Sequence, residues 1–326
     1  MDAGNSPQYT AGETEDLLPS GPPPVLSRPI SYEGRSVNFT RHTQSTKPPK
    51  FRVVHDDPVK VALHYAKSGI RVPFICAAHS SCPGSRHLDK RPTYEEDFCH
   101  RSNLWDTLTR TGPGTYVPRL YPISATGGIF SDRVAVYLGL RGDNYEKLDP
   151  IPDLPVVSVP PVRKPEGRGN GTKYAYPQEE LDMREKIRGA LRICLHNNYN
   201  RVVIGDFGLG DGFHNPPHAV AEIWRDLLLF DPDICGQFES VDFVFVDPMQ
   251  RTTQLFRDEK QKHNERRRAR QAAKEGTSST STRRAPSSQP APTDMAIFES
   301  LFDEKEIERV VEHAALINRH LLSWET

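Results

Sequence analysis

Two adjacent carboxylates, Glu95 and Glu96, follow a short glycine-containing loop, Cys82-Pro83-Gly84-Ser85-Arg86. Paired acids can share glycosidic chemistry: one orients a sugar hydroxyl while the other, with its pKa raised, protonates the leaving oxygen. The competing reading is structural, because acids in the first turn of a helix suit its dipole. Far along the chain stands Gly205-Asp206-Phe207-Gly208-Leu209-Gly210-Asp211-Gly212-Phe213-His214-Asn215-Pro216-Pro217. Glycines let backbone N–H groups approach a phosphate, and a helix starting after the loop favours an anion. A tight Gly/Pro connection without a ligand is the alternative there.

These residues need elements to hold them. Phe51–His55 reads as a strand, and Asp56-Asp57-Pro58 starts a helix that Gly69 ends. Val72–Ala78 is a short apolar run of the buried-strand type. Helical character resumes from Glu95 to Leu108. Strands are expected at Gly128–Phe130, Val134–Leu138, Val156–Val159, Arg201–Gly205 and Val241–Val246, with helices at Gln178–Asn197 and His218–Leu229. This alternation predicts an α/β sheet covered by helices on both faces. The glycine loop would then leave the carboxyl end of a strand, where ligands of open α/β sheets bind.

The chain has 326 residues, 29 of them proline, and a formal net charge of −1. That charge supplies no global field for nucleic acid or for a membrane surface. Residues 1–30 mix Gly, Ser, Pro and acids and are expected to be disordered. Residues 31–250 form the expected folded domain. Residues 251–293 combine a charged stretch with a Ser/Thr/Pro-rich linker. Residues 294–326 carry an amphipathic helix, Met295 to Trp324, whose stripe can recruit a protein partner or dock back on its own domain. Five irregularly spaced cysteines argue against a zinc site or a disulfide framework, so no metal is expected. With neither a signal-peptide pattern nor a membrane-length apolar run, the sequence predicts an intracellular protein, cytoplasmic or nuclear. His214 and His218 read better as solvated loop residues than as ligands. Ser102 lacks a recognisable His/Asp partner set. The Arg266–Arg270 run reads better as a solvated helix face than as an address or RNA patch.

Taken in order, the blocks from Phe51 to Asp247 resemble the microbial-type poly(ADP-ribose) glycohydrolases, a macrodomain family. That pattern runs strand, Gly-Gly-Gly loop, Gln-Glu-Glu, Arg-Ser-Asn-Leu-like helix; the corresponding segments here are Val72–Ala78, Gly84-Ser85-Arg86, Tyr94-Glu95-Glu96 and Arg101-Ser102-Asn103-Leu104. Its later Gly-x-Gly loop with Phe and Asn-x-Pro matches Gly208, Gly210, Gly212, Phe213 and Asn215. The resemblance implies a three-layer α/β/α fold on a mixed sheet. It also implies ADP-ribose or an ADP-ribosylated protein as partner, and hydrolysis of ribose–ribose bonds without a cofactor. Glu96 would be the general acid and Glu95 would position the ribose. Gly84, Ser85, Arg86 and the later loop would hold the diphosphate, and Phe213 would pack on sugar or base. Ser85, Arg86, Tyr94 and Cys76 depart from the family's Gly, Gly, Gln and Asn, and Asp211 lies inside a loop one residue longer. A binding module that reads ADP-ribose without turnover, or an interaction scaffold using the C-terminal helix, are the alternatives. A more literal match, Gly169-Asn170-Gly171 followed by Gln178-Glu179-Glu180, is rejected, because no buried strand of the right order precedes it and no Arg-Ser-Asn-Leu segment follows.

Overall fold

The computed structural model describes residues 29–33, 37–40, 45, 47–85, 93–109, 120–140, 142, 144–275 and 290–322. Its main sheet has seven strands: β1 (Ile30–Glu33), β2 (Lys50–His55), β3 (Phe74–Ala77), β4 (Gly127–Ala135), β5 (Asp153–Val159), β8 (Arg201–Ile204) and β9 (Ser240–Phe245). Their order is β1-β4-β5-β3-β8-β9-β2. The five strands from β5 to β2 are parallel, while β4 runs antiparallel to both β5 and β1. A two-stranded ribbon, β6 (Gly167–Arg168) and β7 (Lys173–Tyr174), stands apart from this sheet.

Alternation along the strands builds two cores. Ile75, Val157, Val159, Val202, Ile204, Val241, Phe243 and Phe245 face one side, under α4 (Pro177–His196) and α6 (Pro217–Phe230). Phe74, Cys76, Val156, Val203 and Val244 face the other, under α1 (Pro58–Ala66), α2 (Tyr94–Arg101) and α3 (Leu104–Thr109). Runs such as Arg201-Val202-Val203-Ile204 are apolar at nearly every position because both faces are covered. The result is the three-layer arrangement expected from the sequence.

Three expectations are corrected. The two strands at Gly128–Phe130 and Val134–Leu138 are one, β4, whose register shifts between Ser131 and Val134. A bulge of this kind breaks the alternation without ending the strand. The single helix at Glu95–Leu108 is α2 and α3, parted where Ser102 turns back its hydroxyl to the Phe98 carbonyl at 2.5 Å. The C-terminal stripe forms two helices, α8 (Asp294–Leu301) and α9 (Glu304–Leu322), because Asp303 accepts from the Lys305 N–H and starts a second one; Trp324 lies outside the described residues.

α8 is part of the core. Ile297, Phe298, Phe302 and Ile307 are buried in the same cluster as α4 and α6. The Phe302 ring sits 4.4 Å from that of Phe243, and Phe298 sits 5.1 Å from it. Each buried side chain of this size contributes about 1.5–3 kcal/mol. The charged stretch after Arg251 forms the long helix α7 (Thr252–Glu275). Of the expected disordered stretch, residues 1–28 lie outside the described residues.

Candidate active site

All parallel strands end at one edge of the sheet, and the sequence-selected residues follow those ends. β3 leads over its loop to α2 on one face, while its neighbour β8 leads to α6 on the opposite face. Chains that diverge to opposite faces from adjacent parallel strands leave a crevice at their carboxyl ends.

After β3, Pro83–Ser85 makes a 3-10 turn in which Gly84 has φ +61°. That left-handed conformation is costly for any side chain except glycine. Gly84 rests against Cys99 and Trp105. Arg86 lies outside the described residues, as does the side chain of Ser85. Thr93 caps α2 by accepting from the Glu96 N–H at 3.3 Å. The acids therefore do occupy a first helical turn, as the structural reading required, and Glu95 also reaches the loop that follows β3. Glu95 is 1% exposed, and its Oε2 accepts from the His79 N–H at 2.8 Å. Burial pushes its carboxyl up to about 8, opposed by the backbone N–H groups of His79 and Gly84. Glu95 thus carries a proton at neutral pH and can donate a hydrogen bond. Glu96, one position on, is half-buried.

Tyr94 occupies the family's Gln position and is committed elsewhere. Its hydroxyl donates to Asp57 and accepts from Arg101 Nη2 at 2.8 Å. Arg101 is fully buried and pairs with Asp57 at 2.8 Å and with Asp97 at 2.8 Å. This cluster pins α2 to the start of α1 and so fixes the orientation of the turn that carries Glu95 and Glu96.

The glycine loop follows β8. Gly208 and Gly210 have φ +78° and +71°. A Cβ on Gly208 would lie 2.7 Å from Met183 Cε, and one on Gly210 would lie 2.6 Å from Gln250 Oε1. Gly212 lies beside the start of α2, since a Cβ there would stand 3.5 Å from Thr93 Cγ2. Gly210–Phe213 forms the single turn α5, which the sequence does not announce. Asp211 in that turn is exposed to solvent. Phe213 is half-buried, and its carbonyl accepts from the Lys164 N–H at 2.6 Å. Asn215 is fully buried. Its amide donates to the Val162 and Gly208 carbonyls at 2.7 and 2.8 Å and accepts from the Tyr174 hydroxyl at 3.0 Å. Its side chain is spent on holding the loop in shape. His214 is likewise buried, with its ring 4.3 Å from Phe256.

Three further residues belong to this region, and none had a local sequence signal. Arg163, past the end of β5, approaches His79 Nε2 at 3.3 Å. Lys164 beside it holds φ +50°. Among the described residues the buried hydroxyl of Tyr121 has no hydrogen-bond partner, and burial followed by the Glu95 charge pushes its pKa up. The rejected literal match forms the turn between β6 and β7, and Glu179 and Glu180 open α4. Among the described residues there is no group of His, Cys, Asp and Glu suited to a metal and no helix long and apolar enough to cross a membrane. A groove of about 560 Å3 between α6 and α9, lined by Arg184, Arg225, Phe230, Val310, His313 and Ile317, shares no residue with the crevice.

No protein-family model matches the sequence, and no curated protein matches it. Solved structures match its fold. The poly(ADP-ribose) glycohydrolase of Thermomonospora curvata aligns with a TM-score of 0.56 at 20% identity, covering 74% of this chain and 86% of that one. The same enzyme bound to the inhibitor ADP-HPD aligns at 0.53 and 19% identity, over 74% and 85%. The poly(ADP-ribose) glycohydrolase of Deinococcus radiodurans in complex with ADP-ribose aligns at 0.53 and 22% identity, over 77% and 92%. This chain has the fold of those proteins.

Proposed function

We propose that the crevice binds ADP-ribose and that the protein is a divergent glycosidic hydrolase of the poly(ADP-ribose) glycohydrolase type. One observation carries this reading. In a chain with the fold of those enzymes, Thr93 at the head of Tyr94-Glu95-Glu96 stands beside Gly212 of the glycine loop, 3.5 Å from where a Cβ on that glycine would be.

In this reading the diphosphate lies along Asp211–Phe213, where backbone N–H groups and the positive charges of Arg163 and Lys164 offset its charge. Phe213 packs on the sugar. The protonated Glu95 donates to a ribose hydroxyl and holds the ring. Glu96 gives its proton to the oxygen of the departing ribose as the glycosidic bond breaks; water then adds to the oxocarbenium-like carbon, and the proton it loses returns to the Glu96 carboxylate. Position assigns the two roles: Glu95 is engaged by the His79 N–H and holds the ribose, and Glu96, the more accessible of the pair, serves the departing oxygen.

Incubation with poly(ADP-ribose) tests the assignment. Wild type should release ADP-ribose and Glu96→Gln should not; equal release from both overturns catalysis by Glu96. A reader without turnover is the second reading, favoured by the survival of one glycine, Gly84, from the family's three. It predicts that wild type binds ADP-ribose and releases none from the polymer.

A further inference from the structure

The glycine loop is gripped from behind by residues that come from the far end of the chain. The Gly210 N–H donates to Thr252 Oγ1 at 2.7 Å. That hydroxyl has one proton, and it donates it in a hydrogen bond to Asp294 Oδ2 at 2.5 Å. Asp294 also accepts from the Thr252 N–H at 2.9 Å and from Gln250 Nε2 at 3.0 Å, while its own N–H donates to the Gln250 carbonyl at 2.8 Å. Thr252 and Asp294 are both 0% exposed. Gln250 lies against the face of Gly210 where a Cβ would be. The carboxylate sits where the first turns of α7 and α8 meet, so it satisfies N–H groups that helix starts leave open.

A buried carboxylate with three donors, joined to a loop glycine through one hydroxyl, is more than α8 needs in order to pack. Phe298 and Phe302 already anchor that helix. The relay instead fixes one peptide of the loop, turning the Gly210 N–H inward and setting the direction of Asp211–Phe213. Residues 276–289, between the two halves of the clasp, lie outside the described residues.

We propose that Asp294 is a positioning residue for the phosphate loop: acting through Thr252, it holds Gly210 so that the backbone of Asp211–Phe213 meets the diphosphate. The C-terminal segment thereby completes the site without touching the ligand. This rests on the reading that the loop binds ADP-ribose.

The test uses the full chain with Thr252→Val, which keeps the shape and removes the relay, and Thr252→Ser, which keeps the hydroxyl. Hydrogen exchange of the amides of residues 205–215 is followed in the unliganded protein, and ADP-ribose affinity is followed by calorimetry. The Val variant should exchange faster in that loop and bind about tenfold more weakly, as the loss of a buried hydrogen-bond pair implies. The Ser variant should restore both, a rescue that packing alone would not produce. Asp294→Asn carries the same expectation if the Val variant fails to fold. Wild-type exchange in a folded Val or Asn variant overturns the clasp whatever the ligand does. Faster exchange with unchanged affinity overturns the positioning role. A wild type that binds no ADP-ribose, with a loop that still responds, overturns the functional reading and the ligand half of this proposal while supporting the clasp.

Discussion

Replacing Glu95 by Gln should change how stability depends on pH, and the size of the change follows from burial. Glu95 is raised from 4.5 to about 8, chiefly by desolvation. Between those values the folded protein holds a proton that the unfolded chain has released. The folded state therefore binds more protons, and stability falls as pH rises through this window, levelling off above the folded value. At about 1.36 kcal/mol per pH unit, the full effect is on the order of 5 kcal/mol, of which on the order of 1 kcal/mol falls between pH 7 and 9. Gln mimics the neutral carboxyl: its oxygen can still accept from the His79 N–H, and its amide does not ionise. Cysteines and histidines that also titrate nearby are common to both proteins and cancel in the comparison. Urea unfolding at pH 7, 8 and 9 measures it. Wild type should lose about half a molar in midpoint relative to the variant across that range, for an m-value near the upper end for a domain of this size. Parallel pH curves for the two proteins would show that Glu95 is ionised in the fold, and the argument for a neutral, hydrogen-bond-donating Glu95 would fail.

Other perturbations have outcomes set by the same geometry. Gly208→Ala should cost about 2 kcal/mol or more, from a left-handed φ and from the approach to Met183, and calorimetry should show weakened ADP-ribose binding with it. Arg101→Met leaves Asp57 buried without its cation and should destabilise by about 3–5 kcal/mol, read as a fall in thermal midpoint. Glu179→Gln should leave release of ADP-ribose from the polymer at the wild-type rate, because Glu179 opens α4, on the face of the sheet opposite α2.

The sheet was legible wherever apolar runs were long or sharply bounded. Phe74–Ala77, Arg201–Ile204 and Ser240–Phe245 all sit where the sequence puts them, because buried parallel strands leave a nearly uninterrupted apolar record. The bulge in β4 was hidden, since Asp132 and Arg133 look like a break between two strands. The carboxylate pair and the glycine loop were visible as local motifs. Their surroundings were not. Asp57 and Arg101 are 44 residues apart, and Thr252 reaches Asp294 across 42. No local pattern marks such pairs. A Thr at a helix start and an Asp at another helix start read as ordinary caps. Asn215 shows the converse: its type and place beside the loop suggest a ligand contact, and only the three-dimensional structure reveals that its amide is used up inside.

Titration calorimetry with ADP-ribose is the most direct test of the central claim. The account predicts saturable binding to the wild-type protein, weakened by Gly208→Ala. Absence of binding up to millimolar ligand would contradict it.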